Sequence, residues 1–417
     1  LQDYPEDHKQ ALIDRDGGWY SIASHIETPD NRKIYPPDDE CWVDVVEKGS
    51  NLCIMFDKSI MDALGITEEM VSTEEGFYEA CEIVKNSGYT TENGESVIPV
   101  VLHADRWISA SLDDILSWNF GAVPVDENGN YRHKELSPGY KNALKFVNNC
   151  VQKEYLDVNI LTLDEAALKT YLEAGRVFCW IGNQALINKE NTSWVSYGAI
   201  TPENEAKGAL PVNQSAGTGW IQTFVKEPEK VAEFLSWITS EEGLMMDYYG
   251  IEGDYYTVDD KGIVTKTEKG EQELSDLYSN NILFWPFANT SFERHTEPVP
   301  DPTSNRGIEI ALMPAFGKED TTYIYDSSLI NFPDTVLEPS SDLGIKLSQV
   351  KNYLESQKAK IVTAKTDEEF ETEYNNMVST LEDYSIADID AAYNEVYQKN
   401  CENTGNKIED INADLYK

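Results

Sequence analysis

"KEPEKVAEFLSWITSEEGLMMDYYGIEGDYYTVDDKGIV", residues 226–264, changes its pattern several times within one short stretch. Its opening reads as an amphipathic helix, with Pro228 in the first turn and Val231, Phe234, Leu235 and Ile238 recurring at helical spacing. Gly243 is expected to break this run into two short helices, and Gly250 to stop the second. Beyond it, "DDKG" at 259–262 predicts a hairpin turn. Between these signals the chain places Tyr248, Tyr249, Tyr255 and Tyr256 beside acidic residues and glycines. Such a segment either holds a ligand or turns a corner.

Working outward, 417 residues at ~150 per domain predict two or three domains with sizeable cores. The 75 acidic residues against 33 basic give a formal charge of -42, which repels nucleic-acid phosphates and anionic membranes. That charge is spread along a chain that is 41% hydrophobic, so the protein reads as folded and strongly acidic rather than disordered. The six cysteines, at 41, 53, 81, 150, 179 and 401, form no C-x-x-C pair and give no zinc or thioredoxin-like spacing. Cys81, Cys150 and Cys179 lie among apolar neighbours and read as buried thiols, while a Cys41–Cys53 disulfide is compatible with the sequence. No run reaches the ~20 apolar residues of a membrane helix. The opening Leu1 and the segment after it read as an entry in mid-domain.

Further helices are expected in "SPGYKNALKFVNNCVQKEYLD", which starts on Ser-Pro, and as a pair in "TDEEFETEYNNMVSTLEDYSIADIDAAYNEVYQKN", where Thr366 and Glu369 form a capping-box pattern. Short strands are expected in "GGWYSIAS", "NLCIMFD", "RVFCWIG", "VSYGAIT" and "GWIQTFV". Their alternation with helices predicts α/β layers.

Catalytic constellations are weak. Neighbouring carboxylates such as Asp113 with Asp114, or Glu241 with Glu242, are expected by chance in so acidic a chain, and the five histidines show no metal-ligand spacing. There is neither a G-x-S-x-G elbow nor a phosphate-cradling glycine loop. In "VDENGNYRHKELS", Asp126, Asn128 and Asn130 alternate like the start of a calcium loop, but the glycine is fourth instead of sixth and no Glu is twelfth. An Asn-Gly turn is the competing reading. The remaining signal is aromatic. Nine Trp and 23 Tyr among many hydrogen-bonding side chains suit a carbohydrate cleft, where rings stack on sugar faces and Asp, Asn and Glu bond the hydroxyls. For any one of these tryptophans the competing reading is core.

The 226–264 run resembles the family 1 extracellular solute-binding proteins of ABC importers, particularly their lipoprotein branch. Pro228, Glu229, Ser240, Glu241, Glu242, Gly243, Tyr249, Gly250, Glu252, Gly253 and Tyr256 carry the resemblance. The segments "DENGNYRHKELSPGYKNALKFVNNCVQKEYLD" and "EAALKTYLEAGRVFCWIG" extend it upstream. It implies an α/β, two-lobed, periplasmic-binding-protein-like fold with crossing hinge segments that closes on a ligand. "GGWYSIAS", at residue 17, resembles a strand that the family carries much further in, so the first lobe is expected to be incomplete here.

On that resemblance residues 1–28 are the remainder of the N-terminal part of lobe 1, 29–210 form lobe 2, 211–312 return into lobe 1, and 313–417 are C-terminal helices mainly of lobe 2. The expected function is capture of an oligosaccharide for a pair of permease subunits, by a monomer tethered outside the cell through a lipid anchor not contained in this chain, with no cofactor and no bond broken. Expected ligand contacts are Trp180 with Asn183 in "FCWIGN", Trp220 beside Gly217 and Gly219, then Trp107, Trp42 and Tyr256. Arg106 and Arg176 would offset the negative chain if the sugar were acidic. A secreted carbohydrate-active enzyme and a peptide-binding or sensor protein on the same fold are the alternatives.

Overall fold

The computed structural model describes residues 1–417 except 17, 24, 103–110, 188–193, 213–218, 221–225, 280–287, 334 and 417. The chain divides into two compact units, the first comprising 1–47 and 213–300 and the second 48–212 and 301–417. The sequence reading placed the breaks after 28, 210 and 312 instead.

In the second unit the apolar runs become a four-stranded sheet ordered Ile98–Leu102, Val177–Asn183, Leu52–Asp57, Trp194–Val195, the first pair parallel and the others antiparallel. "VFCWIG" is buried at every position because both faces of its strand are covered. On one face Phe56, Cys179 and Ile181 join Phe77 and Phe146 from helices Glu74–Asn86 and Pro138–Gln152; on the other, Met55, Val101 and Trp180 pack with Leu168 and Leu312. Each ring fully removed from water contributes about 1.5–3 kcal/mol. A second sheet pairs Gly208–Val212 with Thr322–Asp326 in parallel.

The Ser-Pro start holds: Ser137 Oγ accepts from the Tyr140 amide and Pro138 occupies the first turn. Asn148, fully buried on that helix, donates to the carbonyls of Val362 at 3.2 Å and Ala364 at 2.7 Å, closing the end of helix Asp342–Val362. The C-terminal pair also holds, as Asp367–Asp383 and Ile386–Thr404. Thr366 accepts from the Glu369 amide, and Glu369 reaches back to the amide of Lys365, one residue before the usual capping-box target. A π-helical turn, Ser111–Leu116, is locked by Asp113, which binds the Lys358 ammonium and the Tyr140 hydroxyl. Burial alone would raise the Asp113 carboxyl, but the charges of Lys358 and Lys134 hold it below the ordinary carboxylate range.

The first unit has less sheet. Its described strands form three two-stranded pairs: Ser21–Ile22 with Gly219–Trp220, His25–Ile26 with Ala288–Asn289, and the hairpin Tyr256–Val258 with Val264–Lys266. Its core is aromatic, with Tyr35, Tyr248, Tyr249, Tyr256 and Phe292 packed around Leu244 and Val264. The opening stretch therefore turns a corner. Tyr249 shares a 2.7 Å hydrogen bond with Thr296, and Tyr248 accepts from the Asn289 amide at 2.9 Å. Gly250 stops its helix at φ 81°, a conformation that favours glycine.

Gly243 does not break the helix. The break falls at Thr239–Ser240, between helices Pro228–Ile238 and Glu241–Tyr249, and Ser240 caps the second by accepting from the Gly243 amide. Gly243 serves close approach instead: a Cβ there would lie 2.0 Å from the Trp237 carbonyl oxygen. "VSYGAIT" is strand only at Val195, with irregular backbone after it, and the strand in "GGWYSIAS" shortens to Ser21–Ile22. No disulfide joins Cys41 to Cys53; all six cysteines are free. The Cys53 thiol is buried in the second unit, 3.3 Å from the Leu312 carbonyl, and burial pushes it up to about 12.

Candidate functional site

In open α/β sheets, ligands bind outside the carboxyl ends of parallel strands. The second unit has such an edge where Ile98–Leu102 and Val177–Asn183 end side by side. Because Leu52–Asp57 runs antiparallel, its beginning lies there too, with Leu52 opposite Asn183. The apolar run gives way at this edge to Asn183, Gln184 and, from the neighbouring strand, Asn51.

Gln184 is only 2% exposed. Its amide N–H donates to the Asn51 carbonyl at 2.8 Å, and its Nε2 donates to Asn51 Oδ1 and Glu309 Oε1, both at 3.2 Å. These contacts fix which way the side-chain amide faces. Among the described residues its Oε1, which is buried, has no hydrogen-bond partner. Glu309, on helix Asn305–Leu312, is held in turn by Arg306 at 2.8 Å. Asn183 is half-buried, and its Oδ1 accepts from the Ala185 amide at 2.9 Å, capping a short 3-10 turn.

The first unit presents the same kind of edge where His25–Ile26 and Ala288–Asn289 end. There the amides of Asn31 and Asn289 exchange two hydrogen bonds, at 2.7 and 3.0 Å, and both residues are buried. Each satisfies the other, so this pair closes the edge rather than offering a contact.

Two of the expected aromatic contacts are core. Trp180 has no exposed surface: its indole folds back over its own strand, with Nε1 donating to the Asn183 carbonyl at 3.1 Å. Gly182 makes room for it, since a Cβ there would meet the ring at 2.1 Å. Trp42 is 2% exposed, bonds the Glu297 carbonyl at 3.2 Å, and carries the Arg294 guanidinium 5.1 Å from its ring. Flat apolar rings are the cheapest groups to bury, and both positions lie among apolar neighbours. Trp220 pairs by its backbone with Ser21. Trp107, Arg106 and Gly217 lie outside the described residues. Arg176 rests 4.8 Å from the Tyr171 ring and 3.4 Å from Glu95. Tyr256 is 6% exposed, its ring 5.7 Å from that of Tyr249, and it lines a concavity in the first unit.

The 126–130 loop has turn geometry. Asp126 Oδ1 accepts from the amides of Asn128 and Asn130 at 2.9 and 2.8 Å, and Val125 bridges Tyr131. Counted from Asp126, the ninth place of this loop is Lys134, a cation where a calcium loop sets a ligand.

Reading the sequence alone missed Gln184, Asn51 and Glu309. The change from apolar to amide residues at 183–184 marks the first; Glu309 is distant in sequence and carries no local signal.

Residues 18–245 match the family model described as bacterial extracellular solute-binding protein. No curated protein matches the chain in sequence. Among solved structures, the fold resembles a solute-binding protein of Bifidobacterium longum infantis described as HMO-binding and ABC-transporter-associated, with TM-score 0.64 and 14% identity over 94% of this chain and 79% of that one. It also resembles the FusA substrate-binding protein of an S. pneumoniae ABC transporter, solved with kestose, with TM-score 0.66 and 16% identity over 96% and 82% of the two chains. A further extracellular solute-binding protein of Bifidobacterium longum subsp. infantis gives TM-score 0.66 and 13% identity over 95% and 80%. The fold is that of the two-lobed periplasmic binding proteins, and with more than half of its length inside the family model the chain belongs to the bacterial extracellular solute-binding proteins.

Proposed function

We propose that this chain is the ligand-capturing subunit of a carbohydrate ABC importer, taking up an oligosaccharide outside the cytoplasm and delivering it to membrane permease subunits. Membership of a solute-binding family carries the reading. The sugar class is supported by two proteins of the same fold, one described as HMO-binding and one holding kestose. The edge of the second unit suits such a ligand, because neutral amides match hydroxyls. Of the expected contacts, Asn183 remains in the proposal with Gln184 added; Trp180 acts from behind by fixing Asn183. The protein works as a monomer held to the cell surface by lipid, and it captures rather than converts its ligand.

A thermal-shift screen against neutral and acidic oligosaccharides and short peptides tests this. A ligand at a hundred times its Kd adds about 2.7 kcal/mol of stability. Stabilisation by one sugar class, with the sugar recovered unchanged, is expected. Stabilisation by peptides alone, or appearance of a cleaved sugar, would overturn it.

A further inference from the structure

The segment that follows the 126–130 turn is fastened to helix Ile386–Thr404 of the same unit by a ladder of side chains. Gln398 Nε2 donates to the Gly129 carbonyl at 2.9 Å, Asn394 Oδ1 accepts from the Tyr131 amide at 2.8 Å, and the Asp390 carboxylate accepts from the His133 amide at 3.2 and 3.3 Å. Every second residue of the segment therefore meets every fourth residue of the helix, in the opposite direction. The two repeats match, since four helical residues rise about 6 Å and two residues of open chain span at most about 7 Å. The rungs also brace one another, with Gln398 Nε2 donating to Asn394 Oδ1 at 3.2 Å.

The last rung is charged. His133 brings its ring Nδ1 as well as its amide against Asp390, so one carboxylate holds both backbone and ring of the same residue. Their side chains are only 13% and 14% exposed, whereas a surface pair of the same unit, Lys141 with Glu371, is 33% and 51% exposed. The cover is aromatic. Tyr131 packs edge-on against Phe332 and Tyr393, with centroids at 4.9 and 5.6 Å, and Tyr131 and Tyr393 flank the His133 ring at 5.8 and 6.2 Å. A pair so shielded escapes most of the screening that makes exposed pairs weak. Burial is the strongest influence on the ring and disfavours its charged form, as does Lys351 on helix Asp342–Val362. The hydrogen bond and charge of Asp390, joined by Glu135 on the segment itself, outweigh both and raise the imidazole above its ordinary range.

We propose that this ladder is a proton-operated latch, closed while His133 is an imidazolium and loosened when the ring loses its proton. A neutral ring no longer balances the charge of the shielded Asp390, so the rung that ends the ladder weakens first. The segment runs on through the Lys134–Leu136 turn into Ser137, the cap of helix Pro138–Gln152, and the latch thereby ties the start of that helix to the C-terminal pair. Because the folded state holds this proton more tightly than the unfolded one, the latch is at full strength below the ordinary histidine pKa of about 6.5 and weakens as pH rises through the folded value. It does not depend on the sugar reading.

The test follows the His133 ring by NMR of the histidine-labelled chain, its signals assigned with His133→Gln, together with hydrogen exchange of the 129–136 amides corrected for the intrinsic effect of pH. A His133 midpoint above about 6.5 is expected, and each pH unit above it should appear as about a tenfold loss of 129–136 protection as pH rises through the midpoint. Asp390→Asn should bring the midpoint down and flatten that loss. Gln398→Ala removes a rung without touching the titrating pair, so it should lower protection by the same factor at every pH and leave the midpoint in place. A His133 midpoint at or below about 6.5 in the parent protein would overturn the latch, as would protection that stays constant while pH passes through the midpoint. Both outcomes are read on the unaltered chain, so a variant that fails to fold does not hide them.

Discussion

The two units build the same local feature, a pair of parallel strands ending in amide side chains, and finish it differently. In the first unit Asn31 and Asn289 bond each other and saturate the edge. In the second, Gln184 is held by Asn51 and Glu309 through its N–H groups, and among the described residues its oxygen has no partner. A closed amide pair is a rivet; an amide anchored at one end keeps an unused acceptor. Composition does not separate them, since Asn31, Asn289 and Gln184 are all buried amides. The hydrogen-bond accounting does.

The largest expected effect probes what holds the second unit behind its edge. Lys358→Met leaves Asp113 buried without its main counter-charge and should cost about 3 kcal/mol in urea unfolding. Because the Asp113 carboxyl is held below its ordinary range, its contribution is fully present above the unfolded carboxylate pKa and is lost as pH falls through the folded one. Acid unfolding of Lys358→Met should accordingly show a weaker pH dependence than the parent; an identical profile would remove this ion pair from the account.

Next comes the rivet. Asn289→Ala strands the buried Asn31 amide and should destabilise by about 1–3 kcal/mol, with no change in sugar affinity beyond that of a folded control. A selective loss of sugar binding would make the first edge a contact as well. Gln184→Leu removes the Nε2 bonds to Asn51 and Glu309 as well as the Oε1 acceptor, so it should destabilise by about 1–3 kcal/mol and, beyond a folded control of equal stability, lower sugar affinity about tenfold. If Gln184→Leu binds the sugar normally, the open-acceptor reading is wrong. The smallest effect is expected from reductant, which should leave thermal unfolding unchanged, since all six cysteines are free.

Much of the fold was legible because it depends on local signals. Ser137 and Pro138 announce a helix start, Thr366 and Glu369 another, and the apolar run at 177–182 requires a strand covered on both faces. The 226–264 stretch declared its family and its corner, but the corner's mechanism was misread. Gly243 looked like a breaker because glycine lowers helix propensity; its use is set by the Trp237 carbonyl, a tertiary distance that no propensity contains. The site was less legible for a related reason. Trp180 and Trp42 have the composition of sugar-stacking rings, and only their burial separates the two roles. Gln184 became informative through Glu309, which lies far along the chain and arrives by folding.

The contact at Gly243 has a mechanical consequence. Two helices that meet through side chains can shift by changing rotamers; two that meet backbone to backbone have no such slack. With less room than a methyl group needs between position 243 and the Trp237 carbonyl, Pro228–Ile238 and Glu241–Tyr249 form a stiff elbow, and the second helix runs directly into the turn and hairpin that follow. A load placed on one arm is passed to the other instead of being absorbed at the bend.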